Sequence, residues 1–541
     1  MKLRQNRLIL LLVSLLLTGC NSPKPSEDDI PSDSEQISET TSEVPSEGSE
    51  DVDNPVVNTF NDFTYPEDAH IPASEEYLKF WHPKTKINVN IKASNEIIKL
   101  IDECGDKGGT REDLYFPVNV TFNVDGKEYF YEEVGMRQKG NTSREDFSND
   151  GNIYGPFHFK LSFTEKWTKD VYAPYGLQKD WTKDDPAYVE RDDRRFLDMK
   201  KVDFKWNRTN DPSLTNQPFI ANLYQKYGLI TSNITLCDLK ISNSSTIYSM
   251  GVYTIYEVID KTLLRRYLPK KEANGDLYKC TWSDTGQADM DIDNGDFFNE
   301  DGTVKTRGKI GEEDKSQKYE PSYDIKTNED ETTHEDLVNL LKMLKSLEGK
   351  DVSQTKELVD SKVDVDYFLR YSAVAYLVGN QDDMRNNANN YYTFFNSKTN
   401  LAGFITYDND WSLGVGYDGN GGLEMTKIAL DHSKLQGNGK SWQRNRLFWA
   451  TIISPRDNSP YQNKINLITE YQSQYIEDIK TILNDGFFMY AKFKEMYDLY
   501  YNNYRSVSTS FNTNSTFRGT ALFKEYEEKM RANVEYYTKT D

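Results

Sequence analysis

Two short segments concentrate side chains that could do chemistry. Gly379-Asn380-Gln381-Asp382-Asp383-Met384-Arg385-Asn386-Asn387 is rich in carboxylates and amides, and Tyr407-Asp408-Asn409-Asp410 follows it after an apolar stretch. Hard oxygen donors of this kind suit Mg2+, which takes one or two carboxylates and completes its shell with water and substrate phosphate oxygens. The stretch between them reads as a hairpin, Tyr391 to Phe395 and Phe404 to Tyr407 around Asn396-Ser397-Lys398-Thr399-Asn400. A turn centred near Lys398 sets the residues before Tyr391 beside Asp408, within a residue or two of register. The hairpin therefore gathers the two polar segments into one place.

The elements that must hold this hairpin follow from periodicity. Tyr367 to Val378 is apolar around its whole circumference, as a buried helix is, and Gly379 stops it. Leu337, Leu340, Leu341, Leu344 and Leu347 recur at helical spacing, with Thr332 and Glu335 placed as a capping box. Ile465, Ile468, Ile476, Ile479 and Leu483 mark another helix near the end of the chain. Earlier residues alternate instead. Val118, Val120, Phe122 and Val124 lead to Asp125-Gly126, and Tyr129 and Tyr131 return, the pattern of a hairpin. Phe157 to Phe163 reads as a strand and Thr246 to Val258 as hairpin-like, with Gly251 near its middle, while residues 164–198 show no period and read as an insertion. Strands followed by buried helices that enclose one hairpin predict an α+β fold of two lobes, strand-rich over 61–330 and helical over 331–541. There is no internal repeat.

Asp382 and Asn387 stand as D-x-x-x-x-N, with a hairpin and then Asp408 after them. Protein kinases place a catalytic Asp, a metal-binding Asn and a second metal-binding Asp in that order. The same region, together with Gly251-Val252-Tyr253 through Glu257-Val258-Ile259-Asp260, Leu277-Tyr278-Lys279 and Asn389-Asn390-Tyr391-Tyr392, resembles the CotH kinase family, the spore coat protein H group of atypical kinases. Val134-Gly135-Met136-Arg137 to Gly140-Asn141-Thr142-Ser143 resembles the family's opening, and Asn210-Asp211-Pro212-Ser213 is similar to a further family stretch. The resemblance spans roughly Phe116 to Gly414. It implies a divergent two-lobed kinase-like fold that binds ATP with Mg2+, or with Mn2+, and phosphorylates Ser or Thr of a partner protein. Carried over by position, Asp382 is the catalytic base that orients the acceptor hydroxyl and Asp408 a Mg2+ ligand. The metal-binding amide is Asn387 by spacing or Asn390 by its place at the strand start, and Asp410 is a candidate ligand for a second metal. Arg137, Lys160, Glu257 and Lys279 are the candidates for holding ATP. Thr406-Tyr407 stands where the family usually has Pro-Trp, and Asn389 where it has His; neither departure removes a ligand.

Composition narrows the setting. Lys plus Arg is 65 against 87 Asp plus Glu, a net charge of −22, which argues against nucleic acid as a partner. Lys2, Arg4 and Arg7 precede the apolar run Leu8 to Leu17, and Leu17-Thr18-Gly19-Cys20 resembles a bacterial lipobox. The reading is a signal peptide over 1–19, lipidation of Cys20, and a domain anchored on the extracytoplasmic face of the cell membrane. Residues 20–60 are Ser, Glu, Asp and Pro with few large apolar side chains, a disordered acidic linker that leads to a kinase-like domain over 61–541. Cys104, Cys237 and Cys280 can form one bridge at most.

Three motifs are set aside. Gly414-Val415-Gly416-Tyr417-Asp418-Gly419 opens no helix, as a dinucleotide fingerprint must, and Gly437-Asn438-Gly439-Lys440-Ser441 has Lys434 where a P-loop needs its first Gly. Asp289, Asp291, Asp293 and Glu300 fall at EF-hand positions for Ca2+, but Asn294 replaces the turn Gly and paired helices are missing, so the stretch reads as a solvated acidic insertion. A non-catalytic scaffold or adhesion module of the cell envelope is the competing function, and metal-dependent hydrolysis a third. The lipobox makes a direct prediction: incorporation of labelled fatty acid into the chain is abolished by Cys20→Ser, and label retained in that variant contradicts it.

Overall fold

Ile87, Val89 and Ile91 alternate with Asn88, Asn90 and Lys92, and the same period of two recurs in six further strands that close on themselves. The computed structural model describes residues 56–105, 113–140, 143–282, 286–294, 297–305, 310–311, 321–416, 421–428, 447, 451 and 468–538. The barrel consists of β1 (Ile87–Lys92), β2 (Phe116–Val124), β3 (Lys127–Gln138), β4 (Phe159–Ser162), β5 (Lys201–Lys205), β6 (Ile234–Ser242) and β7 (Ile247–Glu257). Around it the strands run β6-β7-β5-β4-β3-β2-β1, antiparallel throughout except where β1 pairs in parallel with β6 and closes the ring. Val89, Phe122, Phe159, Phe204, Leu239 and Ile255 fill the interior, and Phe159 stacks on Phe204 with ring centroids 4.6 Å apart. A small barrel packed in this way is a core rather than a channel.

The expected hairpin at Asp125-Gly126 joins β2 to β3, with both turn residues at positive φ. The stretch read as hairpin-like around Gly251 is instead one strand, β7. Gly251 has φ +90° and marks a register shift, while pairing with β6 continues on both sides of it, from Tyr253 opposite Cys237 to Ser249 opposite Lys240. A glycine inside a strand pattern can be a bulge as well as a turn.

A second sheet holds the expected hairpin. Its strands are β8 (Leu277–Cys280), β9 (Ile310–Gly311), β10 (Tyr323–Ile325), β11 (Tyr391–Phe395) and β12 (Ala402–Thr406), in the order β9-β10-β8-β11-β12. Every residue of β11 and β12 is buried, and Tyr391 lies opposite Thr406. Because β8 pairs with β11, this sheet joins segments on both sides of the expected lobe boundary at 330.

The helix Val365–Val378 begins at Asp364, whose side chain accepts from the Tyr367 N–H, and ends at Gly379 with φ +63°. It packs against β12 and against the helix Thr469–Asn484. The helix Glu335–Ser346 starts without the expected capping box: its N-cap is His334, and the Thr332 hydroxyl accepts from the His334 N–H and donates to Asp276. Residues ahead of 61 join the fold: Val57–Asn58 pairs with Phe63–Thr64, and Phe60 is buried. Cys237 and Cys280 are buried free thiols, and the Cys104 thiol donates to the Tyr175 hydroxyl at 3.6 Å. Phe204→Ala opens a cavity at the barrel centre and is expected to cost about 3–5 kcal/mol, read by urea denaturation.

Candidate functional site

Gly379 releases the chain from its buried helix into a knot of side-chain hydrogen bonds. The Asn380 amide donates to the Asp408 carbonyl (3.2 Å) and to Asn409 Oδ1 (3.2 Å), and its own Oδ1 accepts from the Asp382 N–H (2.9 Å). Gln381 N–H to the Trp411 carbonyl (3.1 Å) and Leu413 N–H to the Val378 carbonyl (3.0 Å) lace the two segments together. Asp383 caps the short helix Met384–Asn387: one carboxylate oxygen accepts from the Arg385 and Asn386 N–H groups, the other from Arg385 Nε at 2.7 Å. Both members of that pair are buried. Asp382 itself stays partly exposed, and three amides converge on its carboxylate: Asn387 (2.6 Å) and Asn389 (3.3 Å) on Oδ1, Asn390 (2.9 Å) on Oδ2.

The barrel supplies the cations. Arg137 on β3, Lys160 on β4, Asp203 on β5 and Tyr256 on β7 are successive cross-strand neighbours on its outer face, and Lys205 shares that face two residues beyond Asp203. Lys205 Nζ donates to Asp408 Oδ1 at 2.5 Å. Lys139, just past β3, donates to Asp203 Oδ2 and to the Tyr407 hydroxyl (3.2 Å), and Lys160 Nζ stands 3.5 Å from Asp203 Oδ1. Three ammonium groups surround the Tyr407 ring, with Lys205, Lys279 and Lys139 at 5.1, 5.5 and 5.8 Å from its centroid. The quadrupole of the ring favours such cations where water is scarce.

Charges set the protonation of the carboxylates. Burial pushes Asp408 up, but Lys205, Lys139 and His158 outweigh it, and its carboxyl lies below the usual range. Asp410 lies well above that range because it is buried and faces the Asp408 charge, with Asp382 adding to the repulsion. Burial and then Lys205 and Lys139 hold His158 well below its ordinary value, so its neutral ring accepts the Trp206 N–H at Nδ1 (3.2 Å). Of the two, Asp408 is thus the carboxyl that gives up its proton more readily and Asp410 the one that holds it longer.

This donor set fits Mg2+. Asp408 and Asp410 offer hard oxygens, and a divalent cation held by them would offset the repulsion that raises Asp410. Among the described residues no group of three or more His, Cys, Asp or Glu could hold an ion.

Of the residues singled out from sequence, Asp382, Asp408, Asp410, Lys160 and Lys279 meet here. Asn387 and Asn390 meet here too, but both turn their amide nitrogens on Asp382. Arg137 shares the barrel face while its guanidinium donates to Asp113 at 2.5 Å. Glu257 is not brought to the site: it is buried with Arg266 (3.6 Å), the Tyr77 hydroxyl (2.5 Å) and the Asn233 amide (2.8 Å). In the acidic stretch from 289, Asp289 and Asp291 accept from the N–H groups of Asp291 and Asp293, and Asp293 pairs with Lys345. Cys20 and Gly437 to Ser441 lie outside the described residues. Lys139, Asp203 and Lys205 escaped the sequence reading, although Lys201-Val202-Asp203-Phe204-Lys205 carries the signal, alternation that puts all its charges on one strand face.

Asp203 tests this electrostatic arrangement. Burial opposes its ionisation, but Lys139, Lys160 and Lys205 hold it well below the usual carboxylate range. A depressed folded-state value contributes stability that is present above about pH 4 and lost as pH falls. Asp203→Asn is expected to destabilise the fold by about 3–5 kcal/mol at pH 7, with the gap to the unaltered chain narrowing in urea titrations run below about pH 4.

No curated protein matches the chain. The model of a family described as CotH kinase protein matches residues 169–539, more than half of the chain; the match begins after β4, so Arg137, Lys139 and Lys160 lie before it. With Asp382, Asp408, Asp410, Lys205 and Lys279 inside that match, the chain belongs to the CotH kinase family.

Proposed function

We propose that the protein is a Mg-ATP-dependent kinase that transfers the γ-phosphoryl group to Ser or Thr of another protein, with the barrel as the strand-rich lobe of a divergent kinase-like fold. The observation that carries this reading is the convergence of Asp382, Asp408 and Asp410 beside Lys205, which with Lys139 and Lys279 surrounds the Tyr407 ring. Phosphoryl transfer asks a protein for positioned charge more than for covalent chemistry. The three lysines spread positive charge where a triphosphate needs it, and Asp408 with Asp410 would hold Mg2+, which neutralises phosphate charge when bound.

Asp382 takes the remaining role. Three amide donors keep its carboxylate oriented while its partial exposure leaves it in reach of an acceptor. The acceptor hydroxyl gives its proton to Asp382 as its oxygen bonds to the γ-phosphorus. The bond from that phosphorus to the bridging oxygen breaks, and the electron pair leaves with ADP. Lys139, Lys205 and Lys279 steady the charge on the leaving group.

Lipidation of Cys20 would present this site on the extracytoplasmic face of the membrane, to surface or coat proteins. No helix of the described residues is long and apolar enough to cross a bilayer, so the lipid would carry the attachment. The test is transfer of labelled γ-phosphate from ATP to Ser-rich acceptor proteins by the full chain in detergent. Asp382→Asn is expected to lower the rate by about 10²–10⁴-fold with nucleotide binding retained, and Asp408→Asn to abolish label. Label transfer undiminished in Asp408→Asn contradicts the assignment.

A further inference from the structure

The barrel has a second polar face, whose side chains make few hydrogen bonds. Asp238 on β6, Asn88 on β1, Asn123 on β2 and Glu128 on β3 form one cross-strand row; Lys240, Asn90, Thr121 and Phe130 form the next. Asn88, Asn90, Asn123, Glu128, Asp238 and Lys240 line a concavity of about 270 Å³. On the face that carries Asp203 and Lys205, Arg137, Lys160, Asp203 and Lys205 each meet an opposite charge. Here only Asn123 has an assigned hydrogen bond, accepted from the Gly126 N–H in the adjoining turn (3.0 Å). One oxygen of Asp238 is buried with no hydrogen-bond partner, and burial pushes that carboxyl up against the opposing pull of Lys240 and Lys86. Beside the polar rows, Phe130 leaves 58% of its surface in water.

We propose that this face binds a neutral glycan. Sugar hydroxyls both donate and accept, and carboxylates, amides and an ammonium offer the complementary set. An exposed aromatic ring suits the apolar C–H face that a pyranose carries on its other side. With strands about 4.8 Å apart and alternate residues about 7 Å apart, the two rows cover about 14 by 7 Å, a shallow platform rather than an enclosed pocket. A buried carboxylate oxygen without a donor is costly, and a bound hydroxyl satisfies it. The platform is separate from the phosphoryl-transfer site: Phe130 and Arg137 lie on the same strand, β3, about 23 Å apart along it. A glycan held here would fix the chain on a polysaccharide surface while the opposite face of the barrel stays open to its acceptor.

Calorimetric titration of the full chain with cellohexaose, chitohexaose and maltoheptaose tests this. One of the three is expected to bind with a Kd of about 0.1–1 mM. The paired change Asn88→Ala with Asn123→Ala, and separately Phe130→Ala, should each weaken that binding about tenfold or more while label transfer from ATP stays as it was. These are surface positions, so an unchanged melting curve shows that the fold is kept. No heat with any of the three glycans overturns the proposal, as does binding that survives both changes, or a response to Ca2+ alone.

Discussion

The ion pair between Lys205 on the barrel and Asp408 past the end of the hairpin ties the two halves of the site together. One partner comes from a strand whose other face is the barrel core, the other from a strand end two residues beyond a fully buried ladder. Lys205 is buried and Asp408 only partly so; burying the ammonium is expensive, and removing Asp408 leaves that buried charge without its carboxylate, at about 3–5 kcal/mol. Lys205 therefore favours the ionised form of Asp408, while burial and then the Asp408 charge raise Asp410. Two carboxyls set against each other in this way would welcome a cation.

The neighbouring segment solves a different problem, how to hold a carboxylate firmly without burying it. Asp383 and Arg385 do the burying, as an ion pair beneath the short helix Met384–Asn387, and Asn380 bridges to the backbone at Asp408. Asp382 is then free to face outward with three amides aimed at it. Asp408, Asn390 and Ala388 all have positive φ, so the backbone on both sides of the site is bent into shapes that ordinary strands and helices avoid. Tertiary hydrogen bonds, rather than local propensity, maintain those bends.

How much of this was legible in the sequence depends on the range of the interaction. The buried helix ending at Gly379, the hairpin that follows and the convergence of Asp382 with Asp408 are local, written in periodicity and turn residues. The overall α+β character came from the same signals. Lys205 and Lys139 were not legible, because their partners are 203 and 268 residues away in the chain and only barrel closure brings them together. Glu257 shows the converse: its place at a strand end beside a family-like motif suggested a site, yet the barrel turns it toward Arg266 and Tyr77. The two Asn pairs kept their ambiguity, since both Asn387 and Asn390 serve Asp382. Gly251 was misread as a turn because a bulge and a turn ask for the same residue.

The central claim is that the charges around Tyr407 form a receptor for a nucleotide and its metal. The most direct measurement is electron paramagnetic resonance of Mn2+ titrated with the full chain, with and without a non-hydrolysable ATP analogue. The account predicts that the free-ion signal falls when analogue and chain are both present, and that Lys205→Met with Asp408→Asn restores it to the level set by the analogue alone. A free Mn2+ signal that the chain never lowers beyond that level would contradict it.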